Sequence, residues 1–338
     1  GFYLQNVNYE DANEYLIPDA KKDDRSIYFL LNYNKDKWVA QGGVRYDYRK
    51  VTADASADHI VDYGFLLPGE PADRTLTRTF DGVTASAGTT FRPNSAWRFR
   101  LNVAQGFRAP DLGELFSNGP HPGTNRFERG SADFVREQNI QSDFGIRYSR
   151  SNFSISGEVF YNHIDNYIFF APTDDFVGDL TVWEFEQADA RLYGGELELD
   201  IHPTAAKWIS ASTSYSMVIG QRRSDMSYLP YIPAFRWNQS VDFRLNNVGA
   251  LKNPYISVLG SYIFDQNREA PLEEATPGYY LLGLNVGSQV MMGGKALDIY
   301  ISGSNMLNKT YVDHLSLFRP FGVNQMGRNV ALNVRIPF

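Results

Sequence analysis

The sequence contains no cysteine, so it can build neither a disulfide framework nor a thiolate-based zinc or redox site. It also lacks any run of about eighteen apolar residues, the length a helix needs to cross a bilayer. Helical membrane spans are thereby excluded. Positive charge is outnumbered, with 32 Lys and Arg against 39 Asp and Glu and a formal net charge of -7. The basic residues are scattered and never form a block, which argues against a nucleic-acid partner. Motifs for hydrolytic or nucleotide chemistry are missing as well. No HExxH helix, GxSxG elbow, P-loop or GxGxxG follows a suitable strand, so no catalytic residue, enzyme activity or cofactor is expected. The chain opens Gly1-Phe2-Tyr3, with neither Met nor a basic-then-apolar leader. Either a signal peptide has been removed or the chain is a fragment, and the strand pattern below favours a fragment.

Aromatic side chains are plentiful, at 14% of residues with 21 Tyr and 23 Phe. Many fall in segments with a two-residue period. In Ile209 to Met217, one face carries Ile, Ala, Thr, Tyr and Met while the other carries only Ser. Leu197 to His202, Val241 to Asn246, Leu297 to Ser302 and Val330 to Phe338 alternate in the same way. This period marks strands with one apolar and one polar face. A sandwich alternates too, so length and loop asymmetry must separate the two. Trp38 to Arg49, Asn152 to Phe170 and Lys207 to Gly220 run well beyond the usual globular strand of about six residues.

Connections fall into two alternating classes. Tight ones lie at 34–37, 93–96, 149–152, 202–205, 246–249 and 292–295, and longer ones at 52–79, 107–137, 171–180, 221–231, 265–277 and 312–325. Short turns on one side and long loops on the other are the pattern of outer-membrane barrels. With Val182 to Ile201 read as one strand, the scheme gives roughly 13 strands, the first running towards the short-turn side. Trp38, Trp97, Tyr167, Trp183, Trp208, Trp237 and Tyr311 fall near strand ends, as interfacial girdles or as ordinary packed aromatics. The expected fold is therefore an all-β, antiparallel transmembrane β-barrel of the bacterial outer membrane. Its apolar faces would meet lipid and its serines and acids a hydrated lumen.

Gly106-Phe107-Arg108-Ala109-Pro110-Asp111-Leu112-Gly113-Glu114-Leu115 resembles the GFRAPxLxEL phrase of the TonB-dependent outer-membrane receptors. Gly119 to Glu128 is similar to the GPHxGTxxFE loop of their zinc- and metallophore-type subgroup, and Phe160 to Ile168 to their FYNxIxNYI strand. Tyr193 to Glu198, Pro277 to Leu282, Asn305 to Tyr311 and Gly327 to Phe338 match further phrases in the family's order. Gly130 to Glu137 departs from the usual GNPNLKPE-like phrase. The resemblance implies a barrel of the 22-strand class, of which residues 1–338 would be the C-terminal part, with roughly 13 strands. It also implies an N-terminal plug domain and a TonB box, neither found in this sequence, and energised uptake of a scarce solute through the TonB complex. That solute would be a metal ion, metal chelate or siderophore. A plugless diffusion porin and a soluble glycan-binding β-sandwich are the alternatives, with an outer-membrane hydrolase more distant.

Several residues become candidates. Pro110 cannot donate to a ladder and should end its strand. Arg108 and Glu114 could form a lumenal charge pair or only fix the loop's shape. Gly194 and Gly195 within a strand point to a bulge or to close packing against the plug. Phe338 resembles the terminal aromatic read by the barrel-insertion machinery. For substrate or metal contact the candidates are His121 with Glu128, and His314 with Asp313, each set against a structural role in its turn or loop. His59 stands with Asp54, Asp58 and Asp62, either a metal-ligand set or a solvated loop. His202 is expected beside a tight turn, and His163 carries no assignment.

Overall fold

The computed structural model describes residues 2–9, 16–55, 74–121, 123–124, 126–292 and 295–336. Strands β1 (Phe2–Tyr9), β2 (Asp19–Lys35), β3 (Trp38–Ala55), β4 (Arg74–Phe91) and β5 (Trp97–Arg108) come first. A short helix α1 (Leu112–Phe116) and strands β6 (Asn118–His121) and β7 (Arg126–Arg129) occupy the next connection. The series resumes with β8 (Glu137–Ser149), β9 (Phe153–Val177), β10 (Leu180–Ile201), β11 (Ile209–Arg222) and β12 (Arg236–Arg244). It ends with β13 (Leu251–Ile263), β14 (Tyr279–Met292), β15 (Lys295–Ser304) and β16 (Asn329–Arg335).

All sixteen strands belong to one sheet, whose main path runs in sequence order from β1 to β16 with β6 and β7 branching from β10. That makes fourteen strands in the main path rather than about thirteen. The additional one is β1, which pairs with the long-loop half of β2, from Phe2↔Ile27 to Tyr9↔Ala20. Its sequence shows no alternation of polar and apolar residues, so backbone pairing with β2 defines it.

Register turns the period-two pattern into two continuous faces. Leu101 stands opposite Phe144, Phe144 opposite Val159, Val159 opposite Gly195 and Gly195 opposite Met217. The four large side chains in that row are each 44–58% exposed. Val334 is 51% exposed, and Ile209 and Ile299 on the same face are partly exposed. No second sheet covers this face among the described residues, so the two-sheet sandwich is excluded. The opposite face reads Arg98, Arg147, Ser156, Glu198, Ser214, Asn238, Ser261 across seven strands. It is tied by polar contacts such as Arg100 to Glu158 at 2.7 Å and Ser154 to Asp200 at 3.0 Å.

The apolar face is bounded by rings. Near the short turns, Trp38 stacks on Phe91 (4.4 Å between centroids), Trp97 meets Tyr148 (4.6 Å), and Trp208 lies by Phe243 (6.1 Å). Nearer the long loops, Tyr161 faces Tyr193 and Tyr215 stacks on Trp237. From Phe153 to Tyr161 the rise is about 27 Å along the strand, or about 20 Å of height at a 40° tilt, close to an outer-membrane apolar band. Three of the expected girdle residues lie elsewhere. Trp183 is buried against Phe170, Tyr167 stacks on Phe169 within the loop core, and Tyr311 packs on Tyr279.

The loop asymmetry also needs one correction. Residues 171–180 form no open loop, because β9 and β10 run on to a turn at Gly178 and Asp179. Backbone pairing continues there, with register shifts at Thr181/Trp183 and Ala188/Ala190. Two apolar clusters seat the long connections on the polar face. Leu115 and Phe116 of α1 pack on Val51, Ala53, Phe80 and Ile168, while Leu229 and Ile232 pack on Ile164, Phe169 and Ala190. Gly220 makes room for the second, since a Cβ there would lie 2.6 Å from Ile232 Cδ1.

Candidate functional site

The GFRAP segment forms a junction. β5 ends at Arg108, Pro110 is fully buried, and Asp111 caps α1 in a capping box with Glu114. Arg108 donates to both oxygens of Glu137 (2.7 and 2.6 Å) and to Glu114 (2.8 Å). Glu137 also accepts the backbone N–H of Ile168 at 2.6 Å. One guanidinium thereby ties β5, α1, β8 and β9 together. The Arg108–Glu114 pair exists, and Glu137 is the partner that sequence spacing could not reveal.

Beyond this junction β7 lies alongside β10 in parallel, Arg126↔Thr181 to Arg129↔Glu184, on the edge that β11 leaves after Arg222. Phe127 and Val182 are buried in that seam. Arg126 reaches Glu128 at 2.6 Å, and its guanidinium lies over Phe170 (4.8 Å) and Trp183 (5.2 Å). His121 Nδ1 is 2.8 Å from the same Glu128 oxygen. A carboxylate at Nδ1 favours the proton there and leaves the Nε2 lone pair to an outside partner, as in many metal-binding imidazoles. Glu128 itself is committed to Arg126 and His121.

A second cluster faces it. Glu273, in the β13–β14 connection, accepts N–H groups from Tyr231 (3.1 Å), Ala270 (3.1 Å) and Arg319 (3.1 Å). His314 is 4% exposed. Its Nδ1 accepts from Arg319 (2.7 Å) and lies 3.1 Å from the Thr276 hydroxyl, while Nε2 lies 3.2 Å from Glu273. In this arrangement neither ring nitrogen presents a lone pair outward. Asp313 accepts from the Tyr279 hydroxyl (3.0 Å) and the Leu315 N–H (2.9 Å). Burial alone would raise the Glu273 carboxyl, but the adjoining His314 ring and the Ala270 and Tyr231 N–H groups outweigh it and hold it down to about 2. Tyr231 is held with a left-handed φ of 56° between Trp183 (6.1 Å) and the Arg319 guanidinium (5.8 Å).

Between the two clusters is a cavity of about 300 Å³. Its walls come from four connections and the extended end of β9 and β10, and include Arg126, Trp183, Tyr231, Glu273, Arg319 and Phe321. Two oriented guanidiniums on aromatic walls suit a ligand with oxyanions and flat rings. Sequence spacing pointed at His121, Glu128, Asp313 and His314, and the last two turn out to brace Arg319 and its surroundings. Arg126, Arg319, Trp183 and Tyr231 were missed, because nothing in their spacing brings five distant segments together. The HxxxxR order of His121 and Arg126 beside Glu128 was the one available hint.

Register runs unbroken through Gly194 and Gly195, so no bulge lies there, and the shift falls at Ala188/Ala190 instead. Their smallness admits neighbouring strands: a Cβ on Gly194 would strike the Met217 carbonyl and lie 2.9 Å from the Phe160 ring. His163 Nε2 lies 3.4 Å from Asp165, and His202 is at the β10–β11 turn. His59 with Asp58 and Asp62, and the terminal Phe338, lie outside the described residues. Among the described residues no three His, Asp or Glu gather as a metal-ligand group.

Comparison with known proteins agrees with this architecture. Residues 2–306 match the family model described as TonB dependent receptor-like, beta-barrel. The pesticin receptor of Yersinia enterocolitica is 24% identical over a 363-residue alignment that covers 100% of this chain and 48% of that protein. Among solved structures, the copper transporter OprC aligns with a TM-score of 0.76 at 19% identity, covering 94% of this chain and 48% of its own. The ferric yersiniabactin uptake receptor FyuA from Yersinia pestis aligns at 0.65 and 17% identity, covering 95% and 46%. At such identities these structures show the fold, and the chain spans about half the length of the curated relatives it matches. These relatives are receptors and transporters rather than enzymes. The chain belongs to the TonB-dependent receptor β-barrel family.

Proposed function

We propose that the chain is the C-terminal part of the barrel of a bacterial TonB-dependent outer-membrane receptor that takes up an anionic, aryl-bearing metal chelate. In this reading the apolar face meets outer-membrane lipid and the polar face lines the lumen of a barrel of the 22-strand class. A plug domain and TonB box outside these residues would close the lumen and contact the TonB complex. Nucleic acid has no part in it. The observation that carries the ligand class is the pair of buried guanidiniums, Arg126 and Arg319, each held over an aromatic ring at one cavity. Glu128 and Glu273 keep them oriented, while Trp183 and Tyr231 offer faces for the ligand's rings. His121 contacts the bound chelate through Nε2, and His314 and Asp313 hold the opposite wall. A bare cation would need several converging ligands. The copper transporter and the ferric yersiniabactin uptake receptor among the similar structures support metal as cargo.

The test uses the complete protein refolded in detergent, titrated with ferric catecholate and separately with Zn²⁺. Arg126→Ala and Arg319→Ala should each weaken ferric catecholate binding about tenfold or more. Zn²⁺ binding that His121→Ala with His314→Ala abolishes, with the chelate ignored, would replace this reading by bare-metal uptake. Binding of neither probe would sink both.

A further inference from the structure

We infer that the rim formed by the short turns is a binding surface for anionic phospholipid headgroups. The inference rests on the reading that the apolar face meets lipid. Antiparallel order places the β2–β3, β4–β5, β8–β9, β10–β11 and β12–β13 turns on one edge of the sheet. In or beside these turns stand Lys35, Lys37, Arg92, Arg150, Lys207, Arg244 and Lys252, all exposed except the half-exposed Lys252. Arg335 of β16 is exposed at the same rim. The carboxylates there are Asp36, Asp200, Asp242 and Asp298, the last three on the polar face: Asp200 is held by Ser154 at 3.0 Å and faces Arg147 at 3.9 Å, Asp242 accepts from Ser257, and Asp298 stands opposite Arg335. With eight cations against four carboxylates, the rim is basic on a chain of net charge -7.

Pairing tells the same story. At the long-loop end, Arg108, Arg126, Arg129, Arg222, Arg223 and Arg319 each sit against a carboxylate. None of the seven turn cations forms a salt bridge among the described residues. Each turn also sets a cation next to a girdle aromatic: Lys37 by Trp38, Arg92 by Phe91, Lys207 by Trp208, and Arg244 by Phe243. Arg150 lies over the Tyr148 ring at 5.4 Å and donates to its hydroxyl at 2.7 Å. An acidic soluble protein would meet the cations and leave the rings and the apolar belt uncovered. A molecule with acyl chains and a phosphate meets all three at once, chains on the belt, glycerol at the rings and phosphate at the rim.

The test is the association of spin-labelled lipids with the complete protein in phosphatidylcholine vesicles, with folding checked by gel mobility. Labelled phosphatidylglycerol should be enriched about threefold or more over labelled phosphatidylcholine in the immobilised shell. Lys37→Gln, Arg92→Gln, Lys207→Gln and Arg244→Gln combined should bring the ratio near one, whereas Arg136→Gln with Arg223→Gln at the other end should leave it unchanged. Equal association of both lipids with the unaltered protein, or an unchanged ratio in the fourfold variant, would overturn the inference. Absence of any immobilised lipid would instead overturn the membrane reading beneath it.

Discussion

At the scale of single residues, buried charge and missing side chains set the local structure. Glu273 has its carboxyl held from its ordinary 4.5 down to about 2, so the loops it joins are favoured by an ionised form. For a lowered carboxyl, the stabilisation is complete above the ordinary value near 4.5 and is lost as pH falls towards about 2. Its scale is roughly 3 kcal/mol. Hydrogen exchange in residues 264–278 and 305–328 should therefore accelerate between pH 5 and 2.5. Glu273→Gln should exchange fast at pH 6 already and change little on acidification; a pH response equal to that of the unaltered protein would refute the assignment. Gly194 makes the opposite point, since its lack of a side chain is what the neighbours require. Gly194→Ala places a methyl against the Met217 carbonyl, where backbone cannot yield without breaking β10–β11 pairing. A loss of about 1–3 kcal/mol in urea unfolding from detergent is expected. Both effects lie beyond sequence: GG marks smallness, and only the pairing with Phe160 and Val218 shows what the smallness admits.

At the scale of elements, Arg108 joins four pieces of chain whose order along the sequence conceals their proximity. Arg108→Met leaves Glu137 and Glu114 without their cation while keeping the length of the side chain. Solvent reaches Arg108, so the cost should be about 1–2 kcal/mol, below the range for fully buried pairs. The Ile168 N–H bonded to Glu137, and Ser117 and Gly130 beside α1, should lose exchange protection. Protection elsewhere, such as in β13 and β14, should stay as it was. Much of this scale was legible. Long alternating runs located thirteen strands, and the break at Ala109-Pro110 located the end of β5, because proline lacks the donor a ladder needs. The extension of β9 and β10 through residues 171–180 was not, since Pro172, Asp174 and Asp175 read locally as a loop. Pairing between two edges, and of β7 onto β10, overrides that local preference.

At the scale of the whole molecule, the two faces of the sheet should respond differently to charge. Val159→Arg, in the middle of the apolar face, should lower folding into phosphatidylcholine vesicles by about 2–4 kcal/mol. Ser212→Lys, opposite Asp200 on the polar face, should fold as before. Equal tolerance at both positions would show that the apolar face does not meet lipid. The alternation that distinguishes these faces is a property of sequence, because side chains in a strand must point to opposite sides in turn. Sequence by itself therefore determined thirteen of the strands, their two-faced character and, apart from residues 171–180, the short-turn, long-loop asymmetry. It could not assemble the cavity, whose Arg126, Trp183, Tyr231 and Arg319 come from separate segments of the chain. Nor could it show the basic rim, because cations scattered over more than two hundred residues become neighbours only when antiparallel pairing brings every second turn to the same edge. Register is a contact between distant segments, and what depends on register is decided in three dimensions.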